Sequence, residues 1–298
     1  IGTQTAALAV GGQNGPVFSA TESYNGSAWT TSPASLNTAR AGLAGVGTQT
    51  SGLVFGGYPG PLASTESFNG TAWTSKTSMG TARYSLGGSG TQTAALGFGG
   101  NPGPGGTTTT EQYNSTGVTV PVAGSFSSGG YTTAVTAATE LYNGIAWTSS
   151  PNNMGTARYF LGGTGTQTSA LGFGGLSTAN TGATETWNGT SWTTSVNSLG
   201  TARRGITGAG TQTATVAFGG LTTNQVSSTE LWNGTLWTSN PTGLNTARFN
   251  MGGSGTQTAA LGFGGYANPS TYYANTESFN GSTWTTVNSL NTARTNLG

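Results

Sequence analysis

The ionisable side chains of this 298-residue sequence fall almost entirely into two recurring phrases. All seven acidic residues are glutamates within Thr-Glu-x-aromatic-Asn. Six of the eight basic residues are arginines within Thr-Ala-Arg, and Lys76 and Arg204 are the other two. The glutamates are Glu22, Glu66, Glu111, Glu140, Glu185, Glu230 and Glu277, and the arginines are Arg40, Arg83, Arg158, Arg203, Arg248 and Arg294. Guanidinium and carboxylate groups that recur together predict a ring of ion pairs, for which bidentate geometry is available.

This pattern is open to a structural and a chemical interpretation. The structural one, which we favour, is that the Arg–Glu ring fixes the register of strands or of whole repeats. The alternative is that Arg, Glu and a recurring Trp form repeated sugar sites between neighbouring units. Glycoside hydrolysis needs two carboxylates roughly 5–10 Å apart around one bond, and a single Glu in each repeat does not predict such a pair. We therefore expect no catalytic residues and no enzymatic activity.

The composition excludes several further kinds of chemistry. The sequence has no Cys and no His, so we expect no disulfide, no thiolate or imidazole metal site, no cofactor and no His-based acid–base catalysis. A net charge of +1 without a basic cluster does not favour nucleic acid as a partner. No apolar stretch approaches the ~20 residues of a membrane span, so membrane insertion is not predicted.

The complete phrase returns about every 45 residues, which is typical of an array of supersecondary units. Residues 158–163 predict a short strand a, and 169–175, with alternating small and large side chains, predict strand b. Residues 184–187 and 191–193 predict strands c and d, joined by Asn188-Gly189, a strong hairpin signal. Four antiparallel strands per repeat indicate a propeller blade, with the Gly-rich strand a nearest the axis and Trp filling the gap between blades.

The repeat resembles those of kelch-type β-propellers. The resemblance rests on the strand-a Arg, a Gly-Gly doublet after strand b, an aromatic residue on strand c and Trp on strand d, and it extends over nearly the whole chain. The doublets are Gly56-Gly57, Gly99-Gly100, Gly174-Gly175, Gly219-Gly220 and Gly264-Gly265. The resemblance implies an all-β, closed propeller of four-stranded antiparallel blades forming one domain over residues 1–298. It also allows a protein-interaction scaffold as the function.

The number of blades follows from an irregular stretch. Gly90 and Gly165, which open consecutive copies of Gly-Thr-Gln-Thr, are 75 positions apart and enclose an extra Glu phrase at Glu111. After that phrase the chain needs strands a and b before the next strand c, and 122–128 with 131–136 could supply them in a compact blade. We therefore predict seven blades, one of them short; six blades with an insertion at about 101–139 is the alternative. The N-terminal strand b is expected to be closed by strand a at the C-terminus.

The variable parts of the repeat indicate where a ligand would bind. The a–b and c–d turns are nearly invariant, whereas the b–c loops differ in sequence and length, and binding specificity in repeat proteins usually lies on such loops. The candidate ligand-binding residues are Tyr58, Tyr266, Asn268, Tyr272 and Tyr273. We expect a non-enzymatic binding or display module of an extracellular or virion-associated protein, such as a phage tail or adhesin component. Its partners would be glycans, a cell-surface receptor or other subunits of an assembly; the alternative is a purely structural or designed consensus propeller.

Overall fold

Six β-sheets surround one axis in the computed structural model, which describes residues 1–103 and 135–298. Blade 1 has three strands, and each of the others has a four-stranded antiparallel sheet. The strands of blades 1 to 3 are β1 (Ala7–Val10), β2 (Thr21–Tyr24) and β3 (Trp29–Thr31); β4 (Ala44–Thr48), β5 (Ser51–Phe55), β6 (Thr65–Phe68) and β7 (Trp73–Lys76); and β8 (Gly87–Gly90), β9 (Ala95–Phe98), β10 (Thr139–Tyr142) and β11 (Trp147–Ser149).

Blades 4 to 6 repeat the same up-and-down order around the axis. Their strands are β12 (Gly162–Thr166), β13 (Ser169–Phe173), β14 (Thr184–Trp187) and β15 (Trp192–Thr194); β16 (Thr207–Thr211), β17 (Ala214–Phe218), β18 (Thr229–Trp232) and β19 (Trp237–Asn240); and β20 (Gly252–Thr256), β21 (Ala259–Phe263), β24 (Thr276–Phe279) and β25 (Trp284–Val287). A two-stranded hairpin of β22 (Tyr266–Ala267) and β23 (Thr271–Tyr272) lies in the b–c loop of blade 6. Within the described residues, no helix could span a membrane.

The innermost strand begins later than the sequence predicts. In blade 4 we predicted strand a at 158–163, but β12 spans Gly162–Thr166 and pairs with β13 from Gly162↔Phe173 to Thr166↔Ser169. Arg158 therefore precedes the strand and belongs to the connection that enters the blade. Thr164, Gly165 and Thr166, which lie between the predicted strands a and b, belong to β12, and only Gln167 and Thr168 separate β12 from β13.

The two ends of the chain together complete blade 1. Gly298 and Val10 exchange backbone hydrogen bonds, with the Gly298 N–H donating at 3.1 Å and the Val10 N–H at 3.4 Å. Ile1 and Leu8 do the same two residues further along β1. The C-terminal segment thus occupies the innermost position of blade 1, as predicted, and Ile1 continues it. This closure pairs the inner edge of β1, which would otherwise be open.

The ring has six blades, so the preference for seven was wrong and the six-blade alternative is correct. β9 pairs directly with β10, from Ala95↔Tyr142 to Phe98↔Thr139, which makes the phrase at Glu140 strand c of the third blade. Blades 3 and 4 are also in direct contact, since the Trp192 indole donates to Thr139, and no blade fits between them. β9 and β10 are therefore adjacent strands of one blade. Glu111 and the proposed compact strands up to 134 lie outside the described residues, and Val135 and Thr136 are not in a strand.

A tryptophan on each strand d joins its blade to the preceding one. In blade 5, Trp237 packs against Phe173 of blade 4 with ring centroids 5.2 Å apart, and its indole N–H donates to the Thr184 hydroxyl at 2.9 Å. All six blades repeat this indole hydrogen bond to the threonine that opens strand c of the preceding blade. The pairs are Trp29–Thr276, Trp73–Thr21, Trp147–Thr65, Trp192–Thr139, Trp237–Thr184 and Trp284–Thr229. The predicted role of Trp between blades is confirmed.

The glutamine of each Gly-Thr-Gln-Thr turn makes a second contact between blades. Gln212 of blade 5 donates its amide to the Ala170 and Trp187 carbonyls of blade 4, at 3.1 and 2.6 Å. Gln4, Gln49, Gln92, Gln167 and Gln257 make the corresponding bonds at the other five interfaces. The invariance of this turn therefore has a structural cause.

We expect Gln212→Ala to lower the free energy of unfolding by about 2–3 kcal/mol, because three hydrogen bonds are lost at about 1 kcal/mol each: two to the carbonyls and one accepted from the Ser169 hydroxyl. Urea denaturation followed by tryptophan fluorescence measures the change. Gln225→Ala is the matched control, since the Gln225 side chain makes no hydrogen bond within the part of the chain that the structure describes. Equal destabilisation by both changes would contradict the role given to the turn glutamine.

Candidate functional site

Six arginines and six glutamates form one ion pair in each blade. The pairs are Arg294–Glu22, Arg40–Glu66, Arg83–Glu140, Arg158–Glu185, Arg203–Glu230 and Arg248–Glu277. The nitrogen–oxygen distances include 2.9 Å in blades 1 and 6 and 3.5 Å in blade 3. All six guanidinium groups have no exposed surface. Each arginine lies just before strand a, and its glutamate lies on strand c of the same blade.

Blade 4 illustrates what each pair holds together. Arg158 Nη1 donates to the Ala183 carbonyl at 2.8 Å. Arg158 Nη2 lies 3.0 Å from Glu185 Oε1, so the two groups form an ion pair, but their geometry is not that of a hydrogen bond. The other carboxylate oxygen accepts from the Gly155 N–H at 2.6 Å. Burial lowers the pKa of Arg158, and the charge of Glu185 opposes that shift. The pair therefore fastens the connection that enters the blade to strands b and c.

This burial separates the Arg–Glu pairs from any ligand. A sugar would have to displace side chains with almost no exposed surface, so the geometry does not support repeated Arg–Glu–Trp sugar sites. Arg204 has a different environment: it is half-buried, and its Nη1 donates to Asn180 Oδ1 at 3.0 Å.

The two faces of the propeller differ in the way that the sequence predicts. One face, the turn face, carries the a–b and c–d turns. Each c–d turn is fixed by its own asparagine: Asn188 Oδ1 accepts from the N–H groups of Thr190 and Ser191 at 3.0 and 2.8 Å. The opposite face, the loop face, carries the b–c loops and the d–a connections. Variation between repeats is therefore concentrated on one side of the molecule.

A ring of six backbone hydrogen bonds surrounds the axis on the loop face. Each blade contributes the residue two positions after its arginine, and that residue's N–H donates to the carbonyl of its counterpart in the preceding blade. In blade order the residues are Asn296, Gly42, Ser85, Phe160, Gly205 and Asn250, with distances of 2.7 to 3.0 Å. A depression of about 100 Å³ lies over this ring and is lined by these residues and those that follow them.

All six ring residues have a left-handed backbone, with φ between 53° and 62°. Only two of them are glycines. The others are Ser85, Phe160, Asn250 and Asn296, and a bulky residue such as Phe in this region is uncommon. Such conformations cost of order 1–3 kcal/mol each and cluster at functional sites.

Aromatic side chains gather around the depression. Tyr58 packs against Tyr84 with ring centroids 5.9 Å apart, and the pKa of Tyr58 is raised by burial and by the neighbouring phenols of Tyr272 and Tyr84. Tyr266 packs against Tyr272 at 5.1 Å and against Phe249 at 5.4 Å. All these side chains are half-buried. The structure thus brings Tyr58, Tyr266 and Tyr272 to one region of the loop face.

Two other predicted residues have different positions. Asn268 is exposed in the turn between β22 and β23. Tyr273 lies near the buried guanidinium of Arg248, whose pKa it helps to raise against the dominant lowering by burial. Of the predicted residues on this hairpin, Asn268 is the one that is fully exposed.

Several residues of this region were missed by the sequence analysis. Tyr84, Tyr159, Phe160, Asn250 and Asn296 all occupy the first or second position after Thr-Ala-Arg. These two positions read Ala-Gly, Tyr-Ser, Tyr-Phe, Arg-Gly, Phe-Asn and Thr-Asn in successive copies. The variation at these two positions, directly after an invariant arginine, could have identified them as part of a binding surface.

Comparisons with known proteins give no assignment for this chain. A scan against protein-family models found no match, and a search of curated proteins found none. The functional argument therefore depends on the motifs and on the geometry of the loop face.

Proposed function

We propose that this chain is a kelch-type, non-enzymatic propeller that binds neutral carbohydrate at cell surfaces through its loop face. The observation that carries the proposal is the cluster of half-buried aromatic side chains around the axial depression, on the face where the repeats differ. Tyrosine combines a large apolar surface with a polar group at low entropic cost and is common in binding surfaces. The Gly-Gly doublets, the strand-d Trp and the Arg before each strand a support the kelch-type assignment.

The distribution of charge supports a neutral ligand and a non-catalytic role. Six arginines and six glutamates are paired and buried beneath the surface, so they do not reach a ligand on the loop face. Lys76 lies on strand d of blade 2, away from the axis. Hydroxyl, amide and aromatic groups are then the main functional groups that this face offers, which suits a sugar better than a charged partner.

The biological setting that fits this role is an extracellular or virion-associated protein, for example a tail or adhesin component. Near-identical blades with few charged residues suit a display module in which loops vary on a constant ring. A structural propeller or a protein-interaction scaffold is the competing function, and it predicts no carbohydrate binding.

We expect the folded protein to bind neutral glycans on a glycan array, and a Tyr58→Ala/Tyr272→Ala variant to bind about tenfold more weakly, which corresponds to 1.4 kcal/mol. Ile145→Ser is the matched control, because Ile145 is 66% exposed in a c–d turn on the opposite face. Folded protein that binds no glycan would contradict the proposal and favour the competing function.

A further inference from the structure

Four of the six ring positions at the axis have residues other than glycine, although their left-handed backbone favours glycine. Blades 2 and 5 place Gly42 and Gly205 in the left-handed ring, which demonstrates that glycine is compatible with the hydrogen-bonded geometry. The other four blades have Ser85, Phe160, Asn250 and Asn296 at the same position and φ. Replacing them with glycine would relieve backbone strain, so the side chains themselves need an explanation.

The polar side chains of this ring lack a hydrogen-bond partner among the residues that the structure describes. The Ser85 hydroxyl and the Asn250 and Asn296 amides make no side-chain hydrogen bond within residues 1–103 and 135–298, although all three line the depression. A primary amide offers two donors and an acceptor with two lone pairs. The ring therefore presents hydroxyl and amide groups to the solvent at the axis, where a ligand could replace bound water.

The order of the blades gives the depression two different sides. Asn296 of blade 1 lies across the ring from Phe160 of blade 4, and Asn250 of blade 6 lies across from Ser85 of blade 3. The two glycines, in blades 2 and 5, also face each other, and the Asn250 amide lies against Gly205, where an added Cβ would be 2.4 Å from Asn250 Oδ1. The ring of six backbone hydrogen bonds encircles the depression. The depression is thus a shallow axial cup with an aromatic wall at Phe160 and the Asn296 amide opposite it.

We propose that this axial cup binds the terminal residue of a neutral glycan end-on. The inference rests on the proposed function and assigns its site. Asn250, Asn296 and Ser85 would exchange hydrogen bonds with sugar hydroxyls, which are donors and acceptors at once, and Phe160 would pack on the C–H face of the pyranose. Small-ligand sites generally combine a concave surface with a few convergent polar groups, and this cup has both.

The size and charge of the cup select a terminal, uncharged unit. A depression of about 100 Å³ is smaller than the roughly 300–1,000 Å³ of typical ligand pockets, so it suits one end unit of a glycan better than a length of chain. None of the residues that line the cup is ionisable, so a carboxylate or phosphate there would lose solvation without a counter-charge. Arg204, which directly precedes the ring residue Gly205 in sequence, donates a hydrogen bond to Asn180.

The test uses the Ser85→Gly/Asn250→Gly/Asn296→Gly variant and methyl glycosides of neutral hexoses as probes, with binding measured by isothermal titration calorimetry and by NMR. Wild-type protein is expected to bind at least one methyl hexopyranoside with millimolar affinity, and backbone amide signals of the axial residues should shift. The triple variant should bind at least about tenfold more weakly. Its melting temperature should not fall by more than about 3 °C, because glycine suits a left-handed backbone.

The controls separate this inference from the proposed function. Phe160→Gly tests the aromatic wall alone and should also weaken binding, whereas Ile145→Ser on the turn face should not. Glycan binding that is undiminished in the triple variant would overturn the axial site while leaving the proposed function intact. Preference for methyl glucuronoside, or binding of oligosaccharides without any methyl glycoside, would overturn a neutral, terminal ligand. A wild-type protein that binds no glycan would overturn both.

Discussion

Arg158→Ala is expected to lower the free energy of unfolding by about 3–5 kcal/mol, which is typical when one partner of a buried ion pair is removed. The change leaves Glu185 charged with no exposed surface. It also removes the donor to the Ala183 carbonyl, which is bonded at 2.8 Å. The melting temperature should fall by about 5–15 °C, as measured by scanning calorimetry.

Two further variants determine the cause of this loss. Arg158→Met/Glu185→Leu replaces both charges with apolar groups, so it should recover most of the stability, because burial of an isolated carboxylate is the main penalty. Tyr272→Ala, in the loop-face hairpin, should change stability by less than about 1 kcal/mol. A Tyr272→Ala loss as large as that of Arg158→Ala would contradict our division between a structural ring and a binding face.

The propeller architecture could be predicted from the sequence because each repeat contains the same turn residues and the same interblade side chains. Asn188-Gly189 fixes one hairpin, and the residues of β14 were predicted with the bounds that the structure has. The interblade role of Trp237 was predictable because a large side chain at the same place in every repeat must fill the same space. The register of the innermost strand was not, because a Gly/Thr sequence reads equally as strand and as turn.

The blade count was wrong because we assumed that every Thr-Glu-x-aromatic-Asn phrase belongs to a blade and must be followed by new strands a and b. A second phrase at Glu111 suggested a complete blade, and the argument then demanded another pair of strands. The antiparallel order a–b–c–d applies only to strands that belong to a sheet. In the structure β9 pairs directly with β10, although 40 residues separate Phe98 from Thr139 in sequence. Sequence order alone does not contain that long-range pairing.

The candidate site was predicted only in part for a related reason. Variation in the b–c loops directed attention to Tyr58, Tyr266 and Tyr272, which the structure does bring close to the axis. Phe160 and Asn250 escaped notice because each follows an invariant arginine within what was taken for a buried strand. They lie on the loop face because strand a begins only after them, so they belong to the connection that enters the blade.

Phe173→Ala should destabilise the protein by about 3–5 kcal/mol, as expected for loss of a fully buried aromatic side chain. Phe173 has no exposed surface and packs against Trp237 of the next blade with centroids 5.2 Å apart. It also covers Gly208 on the innermost strand of that blade, where an added Cβ would lie 2.5 Å from Cζ of Phe173. Gly208→Ala alone should therefore cost about 1–3 kcal/mol through overpacking.

The combination of these two changes tests whether the blades fit together as wedges. In the Phe173→Ala background the new methyl group enters space that the ring has vacated, so Gly208→Ala should cost almost nothing and the coupling energy should reach about 1–3 kcal/mol. Gly253→Ala is the matched control in the next blade: its Cβ would meet Thr207 Cγ2 at 2.4 Å and not Phe173. Its cost should be unchanged by Phe173→Ala in urea titrations. If Gly208→Ala and Gly253→Ala respond alike, glycine on the innermost strand is required by backbone conformation, and the aromatic ring of the neighbouring blade does not select it.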